Sequence, residues 1–241
     1  ADAARGLLYV ADPENHTIRN IILSCGSVTT LAGRAGEPGF ADGAGEAARF
    51  HAPMGAAVDG AGVLYIADTL NHTVREITAA GTVGTLAGLA GAAGASDGTG
   101  SAARFNHPTA LTVAGTNAKQ LYVLDTASHT VRQIEPGTGA VRTIAGLAGA
   151  SGTAGGGAAA ARFNQPAGIG ADAAGDLYIA DTGNHTLRAG RWSPAPVTPP
   201  PASSASGGGA AGIPFLAALA FLCASKASRI ARLKKQTDDF D

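Results

Sequence analysis

The stretch Leu64-Tyr65-Ile66-Ala67-Asp68-Thr69-Leu70-Asn71-His72-Thr73-Val74-Arg75 decides the fold, because the chain contains four versions of it. The other three occupy residues 8–19, 121–132 and 177–188. Their tyrosines recur every 56 or 57 positions, at Tyr9, Tyr65, Tyr122 and Tyr178. A fixed period of this length indicates stacked copies of one supersecondary unit.

Each unit carries further repeated phrases and reads as four short strands. Thr-Leu-Ala-Gly or Thr-Ile-Ala-Gly follows the first three copies, and Arg-Phe precedes a proline at the start of each later unit. In the second unit the predicted strands are 54–59, 63–67, 73–77 and 82–87, separated by turns rich in Gly, Asn and Asp. A repeated four-stranded sheet is the building block of a β-propeller, so the predicted fold class is all-β.

Pro-x-Gly-x-x-x-Asp followed by the twelve-residue stretch resembles the NHL-repeat β-propeller family over about residues 1–190. The resemblance implies a propeller domain over residues 1–192, with repeats at about 1–33, 53–88, 108–146 and 166–191. We expect four blades, of which the first lacks most of its opening strand and the last lacks a closing strand. The third copy departs from the pattern with Leu124 in place of Ala and Ser128 in place of Asn.

The residues after the propeller change sharply in composition. We predict that residues 193–209 form a linker rich in Pro, Gly and Ser, residues 210–236 an apolar helix with a basic end, and residues 237–241 an acidic tail. An apolar run followed directly by Lys and Arg is typical of a membrane anchor with its basic end in the cytoplasm. This predicts a tether, or a sorting-type tail, that holds the propeller outside the cytoplasm at the cell surface or in the periplasm. The alternative is an amphipathic helix that packs on the propeller or lies on a membrane.

The bulk composition limits the function classes. The 241 residues have a formal net charge of -1, which gives no overall attraction to nucleic acid, and none is expected as a partner. The two cysteines, Cys25 and Cys223, provide neither a disulfide framework nor a metal-binding spacing. We find no nucleophile elbow, no Ser/His/Asp spacing and no phosphate-binding loop, so we assign no catalytic residue and no cofactor.

Three polar residues recur at the same place in every copy and invite a metal-site interpretation. Equivalent residues on different blades lie far apart on a ring, whereas metal ligands must converge within about 2 Å of one point. We therefore predict structural roles, with each His bonding backbone at the blade turn and each Arg pairing with the repeat Asp or a carbonyl. These positions are Asp12, His16, Arg19, Asp68, His72, Arg75, Asp125, His129, Arg132, Asp181, His185 and Arg188.

The connections between units offer a candidate binding surface. The Gly-rich segments 33–53, 88–108 and 146–166 have the same length, which predicts packed and defined loops, since free surface loops normally vary. In an antiparallel blade these loops lie on the same face as the Asn-His-Thr turns. His51, His107 and Gln165 precede the strand-opening prolines, differ between copies and are predicted to form a ligand-facing rim. Asp42 and Asp97 in these loops are expected to pair with Arg49 and Arg104.

We therefore expect a non-catalytic scaffold that presents one face to a protein, peptide or glycan and is tethered to a membrane. The alternative, implied by six-bladed relatives, is a metal-dependent propeller enzyme resembling lactonase-like hydrolases or an amidating lyase. Such an enzyme needs an axial metal, and the strands predicted to line the axis offer Ala56, Ala110 and Gly168, which are poor ligands.

Overall fold

The computed structural model describes residues 1–114 and 120–191, which form four antiparallel sheets. The chain divides into two units, Ala1–Ala195 and Pro196–Asp241, and every described residue belongs to the first. The predicted linker, apolar helix and acidic tail at residues 193–241 lie outside the described residues. Within the described ranges, no helix has the length and hydrophobicity needed to cross a bilayer.

The strands follow the predicted order and form four propeller blades. Blade 1 contains β1 (Leu7–Asp12), β2 (Thr17–Ile22) and β3 (Val28–Ala32). Blade 2 contains β4 (Gly43–Ala44), β5 (Pro53–Val58), β6 (Leu64–Asp68), β7 (Thr73–Ile77) and β8 (Thr82–Gly88). Blade 3 contains β9 (Gly98–Thr99), β10 (Pro108–Ala114), β11 (Gln120–Asp125), β12 (Thr130–Glu135) and β13 (Ala140–Ala145). Blade 4 contains β14 (Gly168–Ala171), β15 (Asp176–Asp181) and β16 (Thr186–Arg191).

The four-strand blade predicted from the sequence is confirmed, with strand ends shifted by at most one residue in blade 2. The opening strand is Pro53–Val58 rather than 54–59, because the carboxylate of Asp59 instead accepts the N–H groups of Ala61 and Val63 and forms the next turn. The structure adds one element that the sequence did not predict. The loops that lead into blades 2 and 3 each contribute a two-residue strand, β4 or β9, to the outer edge of the sheet.

Short 3₁₀ turns connect β6 to β7, β11 to β12 and β15 to β16, and two further ones follow β4 and β9 in the loops. They lie at Gly45–Ala47, Thr69–Asn71, Gly100–Ala102, Thr126–Ser128 and Thr182–Asn184. In blade 2, Pro53 is paired with Asp68, Asp68 with Thr73, and Thr73 with Gly88. Strand β5 therefore begins, β6 ends, β7 begins and β8 ends at the same edge. We call this edge the loop face. It includes the 69–72 turn and its equivalents in the other blades, and the loops 33–53, 88–108 and 146–166.

The cores lie between neighbouring blades, and the phenylalanine of each Arg-Phe phrase is central to them. Phe50, Phe105 and Phe163 are buried, one in each of three clusters. Burial of one such side chain contributes about 2–3 kcal/mol relative to exposure. Within residues 1–114 and 120–191, blade 4 has a neighbouring blade on one side, and Tyr178 and Leu187 on its other side are 50% and 85% exposed. The equivalent Tyr122 and Val131 of blade 3 are buried against blade 4.

The glycine that closes each Thr-Leu-Ala-Gly phrase is required by close backbone contact. Gly88 has φ +96°, and a Cβ placed on it would lie 2.6 Å from the carbonyl oxygen of His72. Gly33 and Gly146 make the same approach to His16 and His129. The end of the fourth strand therefore passes directly over the turn between the second and third strands.

We predict that Gly88→Ala lowers the free energy of unfolding by about 2–3 kcal/mol, because it combines an unfavourable φ with a backbone clash. Gly84→Ala in the same strand is the matched control. Its Cβ would meet only the flexible side chain of Glu76 at 3.9 Å, and its effect should stay below about 0.5 kcal/mol. Urea unfolding of both variants tests this, and equal losses would contradict the steric explanation.

Candidate functional site: the loop face

The turn at the loop face is fixed by a histidine in the left-handed conformation. His72 ends the 3₁₀ turn Thr69–Asn71 with φ 57° and ψ 35°, a region that His adopts more readily than most non-glycine residues. His16, His129 and His185 have nearly the same φ. The recurrent Asn supports the turn from inside, since Asn71 Nδ2 donates to Asp68 Oδ2 at 2.8 Å.

The same histidines link one blade to the next. Nδ1 of His72 accepts the backbone N–H of His107 at 3.2 Å, and Nδ1 of His16 accepts that of Ala52 at 3.1 Å. His129 accepts the N–H of Gln165 at 3.0 Å. Burial, and to a smaller extent the His107 ring, lowers the pKa of His72, which favours the neutral imidazole that can act as an acceptor. The histidines thus bond the backbone of the following blade.

A buried ion pair lies beneath the turn. Arg75 and Asp68 are both fully buried, and Arg75 Nη1 donates to Asp68 Oδ2 at 3.0 Å. The other oxygen of Asp68 accepts the N–H of His51 at 2.8 Å. Arg132 and Asp125 repeat the arrangement at 3.1 Å, also fully buried. Burial raises the pKa of Asp125 to about 6, although the Asn106 N–H and Arg132 act in the opposite direction.

The arginine also binds the preceding loop. Arg75 donates to the carbonyl oxygens of Arg49 and Ala41 and to the carboxylate of Asp42. Its guanidinium lies 5.3 Å from the ring centre of Phe50. Arg132 makes the equivalent bonds to Arg104, Ser96 and Asp97 in the next loop. Each arginine therefore joins a turn, a loop and the Arg-Phe phrase.

The predicted partners of the loop aspartates were wrong. Asp42 pairs with Arg75 at 2.5 Å and Asp97 with Arg132 at 2.8 Å, rather than with Arg49 and Arg104. Arg49 instead contacts Glu37 at 2.9 Å. Sequence proximity favoured the nearer arginines, whereas the folded loop turns its carboxylate inward to the repeat arginine.

The equal-length loops pack on the turns in the same way in all three cases. The N–H groups of Gly36, Gly91 and Gly149 donate to the carbonyl oxygens of the turn residues Asn15, Asn71 and Ser128. Those of Gly39, Gly94 and Gly152 donate to the carbonyl oxygens of Phe50, Phe105 and Phe163. The loop face is therefore a defined surface, held by repeated backbone bonds.

The predicted rim residues occupy two different positions in the repeat. His107 and Gln165 directly precede Pro108 and Pro166 and have positive φ, as does Ala52 in blade 2. His51 lies one residue earlier, equivalent to Asn106, and its N–H bonds the repeat aspartate. Its ring lies 5.7 Å from that of His16, and the His107 ring lies 4.7 Å from that of His72. Gln165 is exposed, while His51 and His107 are half-buried.

Sequence reasoning missed the apolar side chains that the loop face exposes. Phe40, Leu70, Leu89 and Leu147 are 40–48% exposed, and Met54, next to Pro53 at the same edge, is 54% exposed. The signal that could have identified them is variation between copies. The positions of Phe40 and Leu70 hold Ala95 and Ala127 in the next unit.

The remaining repeat positions lie in the end blades and form looser contacts. Arg19 lies 3.8 Å from Asp12, and Arg188 lies 3.6 Å from Asp181, with both arginines partly exposed. His185 is exposed, because its place is on the side of blade 4 away from blade 3. Among residues 1–114 and 120–191, no group of three or more His, Cys, Asp or Glu side chains could hold a metal ion.

Comparison with known proteins supports the NHL-repeat interpretation. The NHL repeat model matches residues 163–189. NHL repeat-containing protein 2 of Bos taurus is 29% identical over 204 residues, covering 76% of this chain and 28% of that protein. The chain thus spans less than a third of the length of that relative.

Solved structures share the propeller fold. An auxiliary nutrient binding protein of Bacteroides thetaiotaomicron superposes with a TM-score of 0.62 at 22% identity, covering 78% of this chain and 46% of that one. A gluconolactonase of Xanthomonas campestris superposes with a TM-score of 0.53 at 17% identity, covering 80% and 56%. At these identities the likeness establishes the fold alone.

We predict that Arg75→Ala lowers the free energy of unfolding by about 3–5 kcal/mol, because it leaves the buried Asp68 carboxylate without its partner. Arg188→Ala is the matched comparison. Its arginine is 22% exposed and lies farther from its aspartate, so the loss should be about 1 kcal/mol. Chemical denaturation of both variants distinguishes the two, and similar losses would show that burial of the pair does not govern stability.

Proposed function

We propose that this chain is a non-catalytic binding scaffold and that the loop face receives an apolar segment of a protein or peptide. The observation that carries the proposal is a division between two sets of side chains. The recurrent Asp and Arg, and the His of blades 1 to 3, bond other parts of the chain. The exposed apolar residues on the same face mostly differ between copies.

The exposed apolar residues of the loop face are of the types found in protein recognition surfaces. Aromatic residues and Met are enriched where proteins contact each other, and an apolar patch held on a rigid frame loses little entropy on binding. Phe40 lies in the loop that leads into blade 2, and Leu70 lies in the turn between β6 and β7. The Leu70 N–H donates to the His51 carbonyl oxygen at 3.1 Å. Leu70 therefore lies beside His51, one of the residues predicted to form the rim.

The inner strands favour a scaffold over an enzyme with an axial metal. Strands β5, β10 and β14 consist of Pro, Gly, Ala, Thr, Met and aliphatic residues. They also approach each other closely, since a Cβ on Gly55 would lie 2.6 Å from the Thr109 carbonyl oxygen. Protein side chains that bind catalytic metal ions are mainly Cys, His, Asp and Glu, with Asn as a further ligand for Ca²⁺, and these three strands carry none of them.

The binding test uses the purified full chain and a peptide library displayed on phage. Enriched peptides should be apolar, and Leu70→Ser together with Met54→Ser should weaken their binding about tenfold or more, since two exposed anchors are lost. Val28→Ser, at an equally exposed apolar site on β3, is the control and should leave binding unchanged. Stoichiometric bound Ca²⁺ or Zn²⁺ in the purified chain, with lactone hydrolysis, would instead support the enzyme.

We also propose, from the sequence of residues 210–236, that the chain is tethered to a membrane with the propeller outside the cytoplasm. Its support is the apolar run followed by Lys and Arg. Leu216→Lys together with Leu219→Lys should move the expressed chain from the membrane fraction to the soluble fraction. Propeller substitutions such as Gly84→Ala should not, and an unchanged distribution of the lysine variant would refute the tether.

A further inference from the structure

Blade 4 contains an open strand position. In blade 2, β8 fits between β7 and the short strand β4, and in blade 3, β13 fits between β12 and β9. Within the described part of the chain, β16 pairs with β15 alone. Its other edge borders a cavity of about 560 Å³, whose far side is Gly155–Gly157, the loop segment equivalent to Asp42–Ala44.

The residues that line this cavity are equivalent to those that surround a buried valine of the fourth strand in blades 2 and 3. Val83 is buried in blade 2 and Val141 in blade 3, each within the cluster between its blade and the preceding one. The cluster residues around Val83 include Phe50, Leu64, Ile66 and Ile77. Their equivalents in blade 4 are Phe163, Leu177, Ile179 and Gly190, and all four line the cavity. Because glycine replaces isoleucine, this pocket accepts a larger side chain than valine.

One end of the cavity is short of negative charge. Asp42 and Asp97 each bind the repeat arginine and also accept the hydroxyl of Thr85 or Thr143 from the fourth strand. In blade 4 the equivalent residue is Gly155, so Arg188 has one carboxylate where Arg75 has two: Asp181 lies 3.6 Å away, and the guanidinium bonds the carbonyl oxygens of Thr153 and Ala154. Arg188 is 22% exposed, whereas Arg75 is fully buried. A carboxylate on an added strand would take the position next to the repeat arginine that Asp42 and Asp97 occupy in blades 2 and 3.

The sequence that follows β16 is rich in proline. It carries Pro194, Pro196, Pro199, Pro200 and Pro201. Proline has no backbone N–H, and in sheets it is confined to edges and bulges. A strand in this position must bond β16 on one side and the loop on the other, and the occupant we consider is therefore a segment without proline.

We use the word slot for the free edge of β16 together with the cavity between β16 and Gly155–Gly157. We propose that the slot binds an extended segment of a second protein by β-strand addition. Main-chain hydrogen bonds to β16 supply affinity, and two side chains supply selectivity. A large aliphatic residue fills the pocket at Gly190, and an acidic residue two positions later pairs with Arg188. The spacing follows from Val83 and Thr85, which face Ile77 and Arg75 in blade 2. This site is additional to the loop face.

The test measures fluorescence anisotropy of labelled heptapeptides on the full chain. The parent peptide is Thr-Val-Gly-Thr-Leu-Ala-Gly, the sequence of β8. Replacing its Val by Leu should tighten binding about fourfold through one further buried methylene. Replacing its second Thr by Asp should tighten binding about fivefold, as expected for a partly exposed ion pair.

Two protein variants assign these gains to the slot. Gly190→Ile should abolish the preference for Leu over Val, and no atom lies within 4 Å of a Cβ at this position, so the variant should fold. Arg188→Gln should abolish the preference for Asp, whereas Arg34→Gln, at an exposed arginine near blade 1, should preserve it.

Absence of peptide binding would overturn the proposal, as would preferences that persist in both slot variants. Self-association of the chain that is lost in Gly190→Ile, without peptide selectivity, would assign the slot to a second copy and equally overturn the proposed acidic partner strand. Sedimentation velocity of the full chain and of the variant measures this.

Discussion

The buried arginine of each complete blade is the interaction on which the rest of the structure depends. A guanidinium removed from water must have its donors satisfied, or the cost of burial exceeds the Coulombic gain. Arg75 meets most of this requirement, since Nη1 and Nη2 donate to two carboxylates and two loop carbonyls beside the ring of Phe50, while its buried Nε has no hydrogen-bond partner among the described residues. The loop before the blade must therefore return its backbone to fixed points. This accounts for the equal lengths of the three connecting loops.

The same requirement separates the residues that build the frame from those that can vary. The Asp, His and Arg of the repeat join turn to loop and, where another blade follows, blade to blade. Side chains that take no part in these bonds, such as those of Leu70 and Met54, change from copy to copy without disturbing the network. In blade 4 this network has fewer interactions. Gly155 removes one carboxylate, Gly190 removes one core side chain, and Arg188 becomes partly exposed.

Several details of the site could not be obtained from the sequence, because they depend on contacts between segments about 35 positions apart. His51 and His107 both lie shortly before a strand-opening proline, yet the N–H of His51 bonds its own blade's aspartate while that of His107 bonds the previous blade's histidine. Asp42 lies near Arg49 in sequence but binds Arg75. The two-residue strands β4 and β9 are too short for any periodic signal, and they form only because the outer strand offers a free edge.

The sequence by itself determined the repeat, the four-stranded blade, the two partial end units and the shared role of the recurrent polar residues. These follow from local strand patterns and from recurrence at a fixed period, which need no knowledge of distant contacts. Only the tertiary structure decided which carboxylate each arginine binds, which apolar side chains remain exposed on the loop face, and that, among the described residues, β16 has a free edge beside a cavity lined by Gly190 and Arg188. Each of these depends on how neighbouring blades and their loops enclose a residue, and burial of that kind is a property of the packed assembly rather than of any one segment.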